Sequence, residues 1–193
     1  DHAHGRGLLV HVDGARIANA VVATGTDVRR LIRDPGVDVL TFGLTKNGAM
    51  YGEAVVYLKP ELAQRARFVR KQAGQLPSKS RYVAAQISAL LTDDLWLRNA
   101  RQANHLAAEL ARRVADVPGV AVPLAPEVNA VFAQLPAAAI APLQDWSFFW
   151  EWDLSASLVR WMTSFATTAD DIDRFVAGVA AIVGSTAGDT PGS

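Results

Sequence analysis

Cysteine is absent from this chain of 193 residues. Its absence excludes disulfide bonds and thiolate metal ligands, and it is compatible with a reducing compartment. Net charge is absent as well, since 19 basic side chains balance 19 acidic ones, so no overall field attracts nucleic acid or an anionic membrane surface. Polar residues interrupt every apolar run before the roughly 20 residues that a membrane span needs. We therefore expect small molecules or other subunits as partners, and a cytoplasmic location.

Lysine is scarce, with four lysines beside fifteen arginines. A position that needed only positive charge would more often hold arginine in this chain. Lys46 follows the apolar run LTFGL and precedes the small residues of NGA. A desolvated amine at this position would be nucleophilic near neutral pH and able to form a Schiff base. The alternative is that Lys46 simply reaches solvent, as most lysines near strand ends do.

The first part of the chain has the pattern of an α/β fold. Two short continuous apolar runs, residues 8–12 and 38–44, are typical of strands that are buried on both faces of a parallel sheet. The segment between them is helical in character over residues 14–33, with a break near its middle. Residues 53–58 predict a third strand, and Pro60 marks the start of a further helix.

The second part of the chain predicts long helices, then short strands and a closing helix. The predicted helices cover residues 79–92, 94–116 and 168–183, and the predicted strands cover residues 128–135, 147–152 and 158–165. The long second helix has one apolar face, formed by Trp96, Ala100, Ala103, Leu106, Leu110 and Val114. Thr168, with Asp171 three residues later, is a capping signal for the last helix.

The motif HVDGAR places two charged side chains at the C-terminal end of the first strand. Asp13 and Arg16 leave the same turn, and ligands of open α/β sheets bind at that edge. Lys46 follows the neighbouring strand at the same edge. A lysine for the aldehyde and a carboxylate for the ring nitrogen are the pair that a pyridoxal phosphate enzyme needs. Taken alone, Asp13 has a simpler interpretation as the cap of the helix that follows it.

Three ordered motifs, HVDGARI, VDVLTFGLTKNGA and LVRWMTSFATT, resemble the low-specificity L-threonine aldolases, and most of all their phenylserine aldolase branch. These are fold-type I pyridoxal phosphate enzymes, and the resemblance runs from about residue 8 to residue 183. It implies an α/β fold of the PLP-dependent transferase-like type. Residues 1–93 would form the C-terminal part of the large parallel-sheet domain. Residues 94–184 would form the long helix and the small α+β domain, and residues 185–193 a disordered tail.

The resemblance also implies the roles of four residues. Lys46 would form the Schiff base with pyridoxal 5'-phosphate, and Asp13 would contact the pyridine nitrogen. Arg16 would lie beside the cofactor hydroxyl and the substrate carboxylate. Arg160 matches the arginine that clamps the substrate α-carboxylate, a task that suits a planar fork of five donors. The implied enzyme is a carbon-carbon lyase without a metal, acting as a homodimer or homotetramer. It would cleave threonine, allo-threonine or phenylserine to glycine and an aldehyde.

Two segments depart from the aldolase pattern. The chain has TSF at residues 163–165, where aldolases usually have a histidine, and GQLPSKSR at residues 74–81 in place of a glycine-rich segment. Both departures favour the phenylserine branch. Lys79 and Arg81 are candidates for contact with the cofactor phosphate, against the interpretation of a solvated loop. The aromatic residues that could line a pocket for an aryl aldehyde, or pack in a core, are Trp146, Phe148, Phe149, Trp150 and Trp152.

Two other functions stay open at this point. Another pyridoxal phosphate lyase, such as a β-eliminating enzyme, would need the same Lys46 and Asp13. The second is a non-catalytic fragment or interaction module. In the family, the phosphate-binding turn and the histidines of the site would precede Asp1, so we expect the chain to be part of a longer protein. No residue is assigned as the base that takes the proton of the β-hydroxyl group.

Overall fold

The computed structural model describes residues 1–188 of the chain, and these divide into two compact units. The first unit is Asp1–Ala100, and the second begins at Arg101. The boundary predicted from the sequence, between residues 93 and 94, lies just before the long helix and stays a prediction.

A three-stranded sheet forms the centre of the first unit. Strand β1 (His11–Gly14) runs parallel to β2 (Val39–Gly43), and β3 (Glu53–Tyr57) pairs with β2 in the antiparallel direction. The predicted parallel pair is thus confirmed, although β1 begins three residues later than the apolar run of residues 8–12, whose first two leucines are exposed. The strand β3 is antiparallel because residues 44–52 form too short a connection for a parallel crossover.

Helices cover this sheet and supply its core. They are α1 (Ile17–Thr24), α2 (Val28–Ile32), α3 (Ala66–Gln72), α4 (Ser80–Leu91) and the start of α5 (Leu95–Val114). The predicted break between α1 and α2 is confirmed, because Gly25 ends α1 in the left-handed conformation. The side chain of Asp27 then caps α2 by accepting a hydrogen bond of 2.7 Å from the Arg29 N–H.

A second three-stranded sheet forms the centre of the second unit. Its strands are β4 (Ala130–Gln134), β5 (Trp150–Asp153) and β6 (Leu158–Met162), all antiparallel, in the order β4-β6-β5. Two helices pack with it, α6 (Ala137–Trp146) and α7 (Ala169–Gly188), together with the later part of α5. Val131, Val159 and Trp161 line the buried face of the sheet.

Helix α6 lies in a segment where the sequence pattern predicted no regular structure. Its alanine-rich sequence favours a helix, but Pro142 interrupts the helical signal. The helix is held by tertiary packing, because the ring of Trp146 lies on Gly178 of α7. A Cβ atom added to Gly178 would approach that ring within 2.3 Å.

The closing helix α7 begins as predicted and ends later. Thr168 and Asp171 form the capping box, in which the Asp171 N–H donates to Thr168 Oγ1 at 3.2 Å and the Thr168 N–H donates to Asp171 Oδ2 at 2.9 Å. Residues 185–188 are helical, so they correct the predicted start of the disordered tail at residue 185. Residues 189–193 of that prediction lie outside the described part of the chain. No helix within residues 1–188 has the length and hydropathy to cross a membrane.

Candidate functional site

Asp13 and Lys46 lie at one edge of the first sheet. Because β1 and β2 are parallel, with Asp13 opposite Thr41, their C-terminal ends meet at the same edge. Asp13 precedes the turn that leads into α1, and Lys46 lies in the single 3-10 turn Thr45–Asn47 that follows β2. The placement expected from the strand order is therefore observed.

Two glycines allow the turns at this edge to approach each other. A Cβ atom added to Gly43 would lie 2.5 Å from the Cα atom of Ala15, and one added to Gly14 would lie 2.5 Å from the carbonyl oxygen of Thr41. Both contacts are with backbone atoms, which have no rotamer to change. Only glycine fits at these positions without moving the two strand ends apart.

Hydrogen bonds anchor the turn that carries Lys46. The side chain of Asn47 is buried and donates from Nδ2 to the carbonyl of Trp96 at 2.9 Å. In return, Asn99 donates from Nδ2 to the carbonyl of Asn47 at 2.7 Å. The turn is thus tied to the first residues of α5. Lys46 itself is exposed, which differs from the desolvated position in the sequence hypothesis, because Asn47 and not Lys46 occupies the buried side of the turn.

Asp13 does not cap the following helix. Its Oδ1 atom accepts a hydrogen bond of 3.0 Å from the N–H of Ala15, and α1 begins two residues further on, at Ile17, without a side-chain cap. The capping interpretation is therefore wrong. The Asp13 side chain is exposed, and that bond is its one hydrogen bond to the described part of the chain. Arg16 is half-buried, and its Nε atom has no hydrogen-bond partner within residues 1–188.

Glu53 is a fourth charged residue at this edge, and the sequence reasoning missed it. It is the first residue of β3 and pairs with Gly43. Desolvation raises the pKa of the Glu53 carboxyl, the charge of Asp13 raises it further, and Lys46 acts in the opposite direction. The available signal was its place in the motif KNGAMYGEA, where a chain that reverses after Lys46 returns to the same edge. The Glu53 carboxyl group thus interacts electrostatically with Asp13 and with Lys46.

Arg160 belongs to the second unit, where it lies on the exposed face of the second sheet. It is half-buried on β6, opposite Phe132 of β4 and Trp150 of β5. Its guanidinium carbon lies 4.9 Å from the centre of the Trp152 ring. Within residues 1–188, Arg160 has no carboxylate partner and its Nε–H group donates to no acceptor. The guanidinium is therefore available to an anion.

The remaining sequence candidates are mostly solvent-exposed. Lys79 and Arg81 are exposed, in agreement with a solvated segment, and Arg81 lies over the ring of Tyr82. His11, the first residue of the motif HVDGAR, is exposed and hydrogen-bonded to Thr41 Oγ1 at 2.8 Å. Of the five aromatic residues predicted for an aryl pocket or a core, Phe149 alone is buried. No group of three or more potential metal ligands exists within residues 1–188.

A family model and several known proteins match the chain. The model of the beta-eliminating lyases matches residues 1–138. A low specificity L-threonine aldolase from Pseudomonas aeruginosa is 40% identical over 181 residues, which are 93% of this chain and 52% of that protein. Another from Pseudomonas sp. (strain NCIMB 10558) is 38% identical over 179 residues, covering 92% of this chain and 51% of that protein. The chain thus spans about half the length of the curated relatives that it matches.

Solved structures give the same result for the fold. A threonine aldolase from Leishmania major matches with a TM-score of 0.79 and 28% identity, over 94% of this chain and 54% of that one. Mouse CSAD matches with a TM-score of 0.69 at 14% identity, over 95% of this chain and 47% of that one, and shows a shared fold alone. The predicted fold-type I α/β class is confirmed, as is the resemblance to the threonine aldolases.

Proposed function

Because the chain belongs to the beta-eliminating lyase family, we propose that it is part of a pyridoxal 5'-phosphate-dependent aldolase. The reaction is the cleavage of a β-hydroxy-α-amino acid into glycine and an aldehyde. The observation that carries the proposal is the meeting of the Asp13 and Lys46 turns at one sheet edge, with backbone contact that only glycine permits. The names of the similar proteins, low specificity L-threonine aldolase, support this reaction over other lyase reactions.

The residues at this edge fit the cofactor of the family, which is pyridoxal 5'-phosphate. Lys46 is exposed, so its amine is accessible to an aldehyde. Asp13 uses one carboxylate oxygen for the Ala15 N–H and keeps the other for a protonated ring nitrogen. The half-buried Arg16 leaves the same turn as Asp13 and supplies a cation for the cofactor hydroxyl or the substrate carboxylate. When bound, the cofactor supplies an electron sink for the cleavage.

The polar residues of the proposed site then have distinct tasks. Lys46 binds the cofactor through its amine, and its turn stays in place because Asn47 and Asn99 tie it to α5. The carboxylate of Asp13 would favour the protonated form of the cofactor's ring nitrogen. Arg160 binds the substrate carboxylate, for which its guanidinium offers two parallel N–H donors and has no competing carboxylate within residues 1–188.

Several finer assignments belong to the same proposal. The substrate is threonine, allo-threonine or phenylserine, and the exposed Phe148 supports an aryl substituent. The homodimeric or homotetrameric state and the cytoplasmic location stay predictions, as do the phosphate contacts of Lys79 and Arg81.

Product analysis on the whole protein tests the proposal. Threonine and phenylserine should each yield glycine and the matching aldehyde, whereas pyruvate and ammonia would establish a β-eliminating reaction instead. Lys46→Ala should abolish the visible absorbance of the bound cofactor, and Lys71→Ala, which removes another exposed lysine, should retain it. Visible absorbance that persists in Lys46→Ala would refute the role of this lysine. Cofactor binding by the 193-residue chain alone would contradict the interpretation as a non-catalytic fragment.

A further inference from the structure

We propose that Trp152 is a positioning residue, which holds the guanidinium of Arg160 in the orientation that receives a carboxylate. This inference rests on the proposed function, since it takes the substrate α-carboxylate as the anion that Arg160 binds. It adds a residue that neither the sequence motifs nor the family resemblance assigns to that task.

The pattern of strand β6 directs Arg160 away from the core. Its neighbours Val159 and Trp161 are buried and face the interior of the second unit. Alternation along the strand therefore places Arg160 on the opposite, exposed face of the sheet. There it lies between Phe132 and Trp150, its register partners on the two neighbouring strands. The side chain is thus bordered by aromatic rings and not by carboxylates.

Alternation along β5 places Trp152 on this face, two residues after Trp150, which is opposite Arg160. Glu151 pairs with Val159 and Asp153 pairs with Leu158, so Trp152 has no partner of its own on β6. On this face the Trp152 ring lies over Arg160, at 4.9 Å from the guanidinium carbon. The ring is 56% exposed, so burial in the core does not account for its position.

A second ring fixes Trp152 in turn. Phe132 meets it edge to face, with ring centres 5.2 Å apart and an angle of 70° between the ring planes. One edge-to-face contact and one cation–π contact therefore connect Phe132, Trp152 and Arg160 on one face of the sheet. The arginine contacts the face of an aromatic ring, where the cation is attracted by the ring quadrupole.

This arrangement restrains the arginine without neutralising it. Arg160 makes no ion pair within residues 1–188, and its Nε atom is enclosed without an acceptor. A carboxylate partner would restrain the guanidinium as well, but it would occupy the donors that the substrate needs. Contact with an indole ring leaves the terminal N–H groups of the guanidinium unpaired. Because the ring already restrains the arginine, the side chain loses less conformational entropy when the carboxylate binds. Trp152 is suited to this task because its ring is the best cation–π partner.

The test compares three variants of the whole enzyme. Trp152→Leu removes the aromatic face, Trp152→Phe keeps it, and Trp150→Leu removes a ring that is opposite Arg160 but contacts Phe148. Values of kcat and KM are measured for threonine and for its carboxamide, which lacks the carboxylate. The affinity for glycine is measured in the same variants by calorimetry, and this readout does not depend on cleavage.

For Trp152→Leu, we expect KM for threonine to rise by about 5- to 20-fold, with kcat changed less than about twofold. The glycine Kd should rise by a similar factor, while KM for the carboxamide stays unchanged. Trp152→Phe should restore most of the affinity, and Trp150→Leu should keep the acid-to-amide preference of the wild type. An equal rise of KM for acid and amide, or an equal loss of preference in Trp150→Leu, would overturn the assignment.

Failure of the proposed function has a different signature. In that case the wild type cleaves no β-hydroxy-α-amino acid, but the glycine Kd still reports on Trp152 and Arg160. A Trp152→Leu variant with the glycine affinity of the wild type would refute the positioning role in either case. Thermal unfolding of each variant shows whether it is folded. If Trp152→Leu is not folded, the glycine Kd of Trp152→Phe is compared with that of the wild type.

Discussion

Gly43→Ala is the substitution that tests most directly whether the two turns of the site are in contact. The new Cβ atom would lie 2.5 Å from Cα, 3.0 Å from C and 3.1 Å from O of Ala15. An ordinary contact of a Cβ atom is 3.4–4 Å. The end of β2 and the turn after β1 would therefore separate by about 1 Å, because backbone on both sides leaves no side chain free to rotate away.

The energetic cost follows from this overlap. Adding a group to a packed site typically costs about 1–3 kcal/mol, and rigid backbone favours the upper part of that range. The same separation moves Asp13 relative to Lys46, so we expect the cofactor to bind more weakly by about tenfold, as expected for about 1.4 kcal/mol.

Urea unfolding and cofactor titration of the whole protein measure both effects. Gly5→Ala is the matched control, since a Cβ atom at Gly5 has no atom within 4 Å and its φ is not positive. This control should retain the stability and the cofactor affinity of the wild type. If Gly43→Ala were equally unaffected, the close approach of the two turns would be refuted, and with it the physical basis for the shared edge.

Three further substitutions test other parts of the structure. Asp38 is fully buried, and the hydrogen bond from Lys59, followed by those from Val10 N–H and His4, holds its pKa well below the usual range. Because its pKa is lowered in the folded state, the Asp38 carboxyl stabilises the fold above about pH 4, and this stabilisation is lost as the pH falls. In Asp38→Asn, the free energy of unfolding measured in urea should therefore fall less between about pH 5 and 2 than in the wild type. An unchanged fall would contradict this role of Asp38. Thr168→Ala should lower the free energy of unfolding by about 1 kcal/mol, because it removes the cap of α7. Thr168→Ser keeps the hydroxyl and should keep the stability of the wild type. An equal loss in both variants would exclude the capping role. Asn99→Leu should lower the free energy of unfolding by about 1–3 kcal/mol, because it leaves the Asn47 carbonyl without its donor. It should also weaken cofactor binding. A variant with the stability and cofactor affinity of the wild type would show that this bond does not hold the turn of Lys46.

Local patterns account for most of the elements predicted from the sequence. The apolar face predicted for the long helix is buried at all six of its positions, because residues three and four apart share one face of a helix whatever surrounds it. The capping box at Thr168 and the break after Thr24 are likewise observed, since both depend on side chains within a few residues. Helix α6 was missed because Pro142 obscures its local signal and its support comes from α7, a distant segment.

The sequence by itself determined the fold class and the edge at which Asp13 and Lys46 meet. Strand order and the parallel pairing of β1 with β2 follow from hydrophobic runs and the helical connection between them. The tertiary structure alone decided that Lys46 is exposed while Asn47 is buried, that the Glu53 carboxyl interacts with Asp13 and Lys46, and that the Trp152 ring lies over Arg160. These features depend on register and on contacts between segments far apart in the chain. No local pattern of residue types encodes them, because a strand's pairing partner sets the direction in which its side chains point.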